Sequence, residues 1–218
     1  MVSLIQQSGK LIDTQPGLKS ATFVQVKRWL AAIHPALHLW QLRALLLLIV
    51  LCSVTDAAAQ TEAQENQVKA AFLYKFPAYV EWPSASFSDS ASPVVFGVLE
   101  ADAIANELLL ISRDNLLIGR TIVVRKLQPG DPTEGLNVLF VGQGRTRTSG
   151  PLLLEALSSS ILTVTEAPAQ SPNGSVINFA IIDDRVKFDV SLAMAEQAKL
   201  TVSSRLLQVA RRVIEPNP

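Results

Sequence analysis

The 218-residue chain contains two histidines and one cysteine, and all three (His34, His38 and Cys52) precede residue 60. From residue 60 onward there is no imidazole and no thiol. That absence excludes Ser-His-Asp and Cys-His catalysis, the usual zinc sites and disulfides. No metal and no cofactor is expected, and stability must come from the core alone. A carboxylate pair or a lysine nucleophile remains chemically open. An excess of positive charge is missing too. Residues 60–218 carry 14 basic and 17 acidic side chains, a net charge of −3. Such a domain has no electrostatic reason to bind nucleic acid or anionic lipid.

Long apolar runs are scarce as well. The longest stretch, from Ala44 to Val54, is about a dozen residues, short of the roughly 20 that a membrane-spanning helix needs. Lys27, Arg28 and Arg43 precede it, and Ala57-Ala58-Ala59 follows it. Basic flank, short apolar core and small-residue site read as a secretory signal peptide over 1–59, cut after Ala59. The alternative is an uncleaved anchor in the inner membrane. The leader is longer than the usual ~15–30 residues. With only Met1 and Met194 as methionines, the start is expected at a non-Met codon near Val24 or Val26. Cys52 follows Leu51 rather than a small residue, which argues against lipidation. Residues 60–218 then form a single domain.

Along that domain, 61–76 has helical periodicity, with Val68, Phe72 and Phe76 on one face, and Pro77 should end it. Four apolar runs read as buried strands: 93–99, 121–127, 137–141 and 161–164. Helices are expected at 102–111 and at 151–157, the latter with Pro at its first position. Residues 175–182 and 185–190 read as a hairpin across Asp183-Asp184. A last helix from about Ser203 should bury Leu206, Val209, Ala210 and Val213. Strands alternating with helices predict a three-layer α/β sandwich. Its sheet is mixed but mostly parallel and flanked by helices, with a C-terminal hairpin and helix.

Three groups invite a chemical reading. Tyr74, Phe76, Tyr79 and Trp82 concentrate aromatics within nine residues, as a partner or ligand surface does, although capping the core is the plainer role. Gly142, Gly144, Arg145 and Arg147 form a glycine loop before a helix, an anion-binding pattern. The third glycine of a dinucleotide fingerprint is replaced by Arg147, and a solvated connector explains the loop as well. Asp183 and Asp184 suit a turn, and Asp189 shares strand parity with Lys187, which places it on the solvent face.

Several segments in order carry a resemblance: Val68–Pro83 (VKAAFLYKFPAYVEWP), Phe96–Leu99, Ile161–Thr165, Gly174–Phe179, and Val186–Val190 with Leu200–Ala210. Together they resemble the YfiR-like family of small periplasmic proteins across residues 65–213. The resemblance implies a non-catalytic periplasmic repressor. Its partner would be the periplasmic region of an inner-membrane diguanylate cyclase or similar sensor, and repression would lower cyclic-di-GMP and biofilm formation. It also implies sequestration by an OmpA-like outer-membrane lipoprotein, and it leaves a homodimer open. Members carry cysteines tied to a redox switch. This domain has none, so that control is not carried over. The competing reading is a periplasmic small-molecule binding protein serving a receptor or transporter.

Overall fold

The computed structural model describes residues 60–113, 115–167 and 172–216, all within one compact unit, Ala58–Pro218. The proposed leader, with His34, His38 and Cys52, lies outside the described residues. Helix α1 covers 60–75 and passes into a 3-10 turn, Phe76–Tyr79, with Pro77 in its first turn. Pro77 has no N–H to donate, so the α-helical ladder stops there. Strand β1 (Val80–Glu81) and a 3-10 turn (Ser84–Ser86) follow. Then come β2 (Val94–Leu99), α2 (Asp102–Ser112), β3 (Ile122–Leu127), β4 (Val138–Val141) and α3 (Gln143–Thr146). The chain continues through α4 (Gly150–Ser158), β5 (Leu162–Glu166), β6 (Ile177–Ile182) and β7 (Arg185–Ser191). It closes with α5 (Leu192–Gln197), β8 (Thr201–Val202), α6 (Ser204–Val209) and β9 (Arg212–Ile214).

Seven strands form one sheet in the order β3-β2-β4-β5-β6-β7-β9, and β1 pairs with β8 apart from it. The first five are mutually parallel, β6–β7 is the antiparallel hairpin, and β9 runs parallel to β7. The expected α/β architecture with a mostly parallel mixed sheet is therefore present. In the hairpin turn Asp183 and Asp184 both have positive φ, 50° and 56°. That pair of left-handed residues is what a two-residue turn of the I′ kind requires.

The two faces of the sheet are packed differently. Phe96, Phe140, Phe179 and Phe188 share a core with Ala70 and Leu73 of α1, Ile104 and Leu108 of α2, and Leu206 of α6. On the other face Leu99, Leu139 and Val141 pack against Leu153 and Ala156 of α4. Farther along, the buried residues become polar: Thr163, Thr165, Asn178, Asp189 and Ser191. Each finds a hydrogen-bond partner within the domain. Thr163 Oγ1 donates to the Gly174 carbonyl at 2.7 Å, Thr165 Oγ1 donates to Asn178 Oδ1 at 2.8 Å, and Asn178 Nδ2 donates to the Ala167 carbonyl at 3.1 Å. Buried polar groups are tolerated only when paired in this way.

Three expectations need correction. The buried face of α1 is Lys69, Ala70 and Leu73, while Val68 is 37% exposed. The face is set by a buried lysine that apolar periodicity could not report. The terminal helix stops at Val209 and the chain enters β9, so Val209 is 66% exposed rather than part of a buried stripe. Arg211 N–H donates to the Phe188 carbonyl at 2.8 Å, which draws this segment alongside β7. Finally, Asp189 is fully buried, not solvent-facing. The C-terminal half of β7 is covered on both faces, so alternation no longer separates inside from outside.

Candidate functional sites

One depression is lined largely by charged and polar residues and another largely by aromatic ones. The first lies where the sheet order reverses. β2 connects through α2 to β3 on one side of it, and its other neighbour is β4. The crevice beyond the carboxyl ends of such strands is where open α/β sheets bind ligands. Here a cavity of about 390 Å³ is lined by residues that include Glu62, Glu65, Lys69, Glu100, Asp102, Gly142 and Glu166. Gly142 follows β4 at φ −65°, a conformation open to any residue. A side chain there would nevertheless overlap the Glu100 carbonyl oxygen, so the glycine serves close backbone approach. Gly144 meets nothing nearer than Glu100 Oε2 at 4.0 Å.

Except for Glu62, the charged residues lining this crevice have ion-pair partners within the domain. Lys69 is 2% exposed. Its Nζ donates to Glu65 one turn earlier and to Glu166 Oε1 at 2.7 Å, which ties α1 to the end of β5. Arg145 sits 3.2 Å from Glu100, and Lys126 lies 3.7 Å from Asp102. Of the glycine-loop residues, Gly142 and Gly144 thus border the crevice, Arg145 faces Glu100, and Arg147 is exposed. The helix that follows Gly142, α3, has four residues.

The second depression is a cavity of about 250 Å³ between the end of α1, β7 and α6. Its lining comprises Phe72, Phe76, Phe188, Tyr79, Leu206 and Val209, with Lys75 and Arg205 at the edge. The aromatic floor is closely packed. Phe76 meets Phe188 edge-on at 5.1 Å and Phe179 at 5.5 Å, and Phe72 meets Phe188 at 5.5 Å. Tyr79 is held from behind, since its carbonyl accepts from Ser203 N–H at 2.9 Å.

The aromatic segment divides between tasks. Phe76 is core and pocket floor, and Tyr79 is pocket wall. Tyr74 points away, its hydroxyl donating to the Leu116 carbonyl at 3.1 Å. Trp82 packs edge-on against Phe87 at 6.0 Å, with its indole N–H buried and unpaired. Pocket residues Lys75, Phe188, Arg205 and Val209 were not singled out by sequence reasoning. They come from three elements far apart in the chain.

Beside the pocket, Arg211 Nε donates to Asp189 Oδ1 at 2.7 Å and Arg212 donates to Asp189 Oδ2 at 2.8 Å. Burial alone would raise the Asp189 pKa. The hydrogen bonds and charges of the two arginines outweigh that and hold it below its ordinary value. A sequence cue existed, because a carboxylate inside the run Phe188-Asp189-Val190 demands a cation, and Arg211-Arg212 is a ready pair.

Among the described residues no cluster of His, Cys, Asp and Glu is arranged to hold a metal, and no helix is long and apolar enough to cross a membrane. The sequence pattern of the family described as YfiR/HmsC-like matches residues 66–211. No curated protein matches the chain.

Proposed function

The chain belongs to the YfiR/HmsC-like family, and from that premise we propose that it is an exported, non-catalytic regulator. It binds the periplasmic sensor region of an inner-membrane diguanylate cyclase and holds the enzyme inactive, which lowers cyclic-di-GMP and biofilm formation. An OmpA-like outer-membrane lipoprotein relieves the repression by sequestering it.

The observation that carries this reading is the family match, which spans the sheet and its helices from α1 to α6. The chemistry of the domain agrees with it. Repression of a two-state enzyme requires only that the repressor bind the inactive state better. Each factor of ten in that preference needs about 1.4 kcal/mol, which complementary surface supplies without an imidazole, a thiol or a metal. Within the aromatic segment from Tyr74 to Trp82, the proposed partner surface is the pocket that holds Phe76 and Tyr79.

The test is cellular cyclic-di-GMP in a deletion strain, with the gene restored in full or without residues 1–59. A rise on deletion, reversed only by the full gene, supports a repressor acting outside the cytoplasm. An unchanged level in the deletion strain overturns the proposal.

A further inference from the structure

The apolar pocket and the two cations at its edge make one recognition device. Five cations of the domain are matched: Lys69 with Glu65 and Glu166, Arg145 with Glu100, Lys126 with Asp102, and Arg211 and Arg212 with Asp189. Others, such as Arg147 and Lys199, are exposed, but Lys75 and Arg205 are the ones that flank this apolar pocket. Lys75 and Arg205 have no carboxylate partner among the described residues, although the domain carries more acid than base. Between them stands Val209, the most exposed large apolar side chain among the described residues at 66%. The cavity, about 250 Å³, is smaller than the ~300–1,000 Å³ of ordinary small-molecule sites, and it suits a single side chain. An aromatic floor that is already packed needs no rearrangement to receive one.

We propose that this pocket takes one apolar side chain of a protein partner, and that acidic residues flanking that side chain in the partner meet Lys75 and Arg205. The inference rests on the regulatory reading above and names its interface. A buried anchor in a preformed apolar pocket is how a few residues come to dominate binding. The cations, one from α1 and one from α6, orient the segment and speed its approach.

A random-peptide display library selected on the purified protein tests this directly. Wild type should enrich an apolar residue flanked by Asp or Glu. Val209→Glu should lose that enrichment by about tenfold or more. The double variant Lys75→Glu/Arg205→Glu should shift the flanks to Lys and Arg. Equal recovery on all three proteins, or no enrichment on wild type, overturns the proposal. So does a dimer in sedimentation that Val209→Glu abolishes, which would make the occupant a second copy.

Cellular cyclic-di-GMP separates this proposal from its premise. If restored wild type fails to lower it, the cyclase reading falls whatever the peptides show. If wild type lowers it and the folded pocket variants lower it equally, the pocket falls and the cyclase reading stands.

Discussion

The crevice at the ends of β2 and β4 and the pocket between α1, β7 and α6 hold about 390 and 250 Å³, and their chemistry is opposite. In the crevice, where open α/β sheets place their ligands, Lys69 is paired with Glu65 and Glu166, and the lining carboxylates Glu100 and Asp102 are met from outside it by Arg145 and Lys126. The pocket is floored by phenylalanine, and its two cations face solvent. An ion pair satisfied within the fold contributes to its architecture. An unmatched charge beside exposed apolar surface is available to something else. The position a fold customarily uses for ligands is therefore a poor guide here, and the state of its charges is a better one.

The contrast can be broken most strongly at Lys69. Removing both partners with Glu65→Ala/Glu166→Ala strands a buried ammonium, and denaturant unfolding should show a loss of about 3–5 kcal/mol. Unchanged stability would mean the lysine reaches water. Gly142→Ala should cost about 2 kcal/mol by overpacking, because the added methyl meets backbone rather than a flexible side chain. Gly144→Ala, with open space around it, should stay within about 0.5 kcal/mol. Equal effects at the two glycines would refute the close-approach argument.

Asp189→Asn removes the charge from three charge-assisted bonds but leaves arginines that are partly exposed, so a loss of about 1–2 kcal/mol is expected at neutral pH. The folded pKa of Asp189 is lowered, so its contribution is complete above the unfolded value of about 3.9. It is lost as pH falls through the folded value. Thermal melts between pH 2 and 6 should accordingly fall more steeply in wild type than in the Asn variant. Smallest of all are Lys75→Glu and Arg205→Glu. Both are exposed and without a carboxylate partner among the described residues, and each should alter stability by no more than about 0.5 kcal/mol while changing partner binding. A large stability loss there would erase the distinction between the two depressions.

Much of the fold was legible because its signals are local. The apolar runs that became β2, β4 and β5 stand out by composition alone, and Asp183-Asp184 marks a turn by its tolerance of positive φ. The sites were less legible. Four aromatics within nine residues look like one surface, yet the helical turn sends Tyr74 toward Leu116 and Trp82 toward Phe87. Two glycines in one loop look equivalent, yet only Gly142 abuts the backbone of the turn after β2, at Glu100.

By itself, the sequence determined the fold class, the main strands and helices, the lack of histidine and cysteine beyond residue 59, and the family. Each of these depends on residue type and on neighbours a few positions away. The tertiary structure alone decided which charges are matched. Lys69 finds Glu166 across 97 positions and Asp189 finds Arg211 across 22. The same assembly left Lys75, Arg205 and Val209 around an aromatic floor. Coulombic pairing and burial depend on distance in space, which the chain acquires only when its sheet closes.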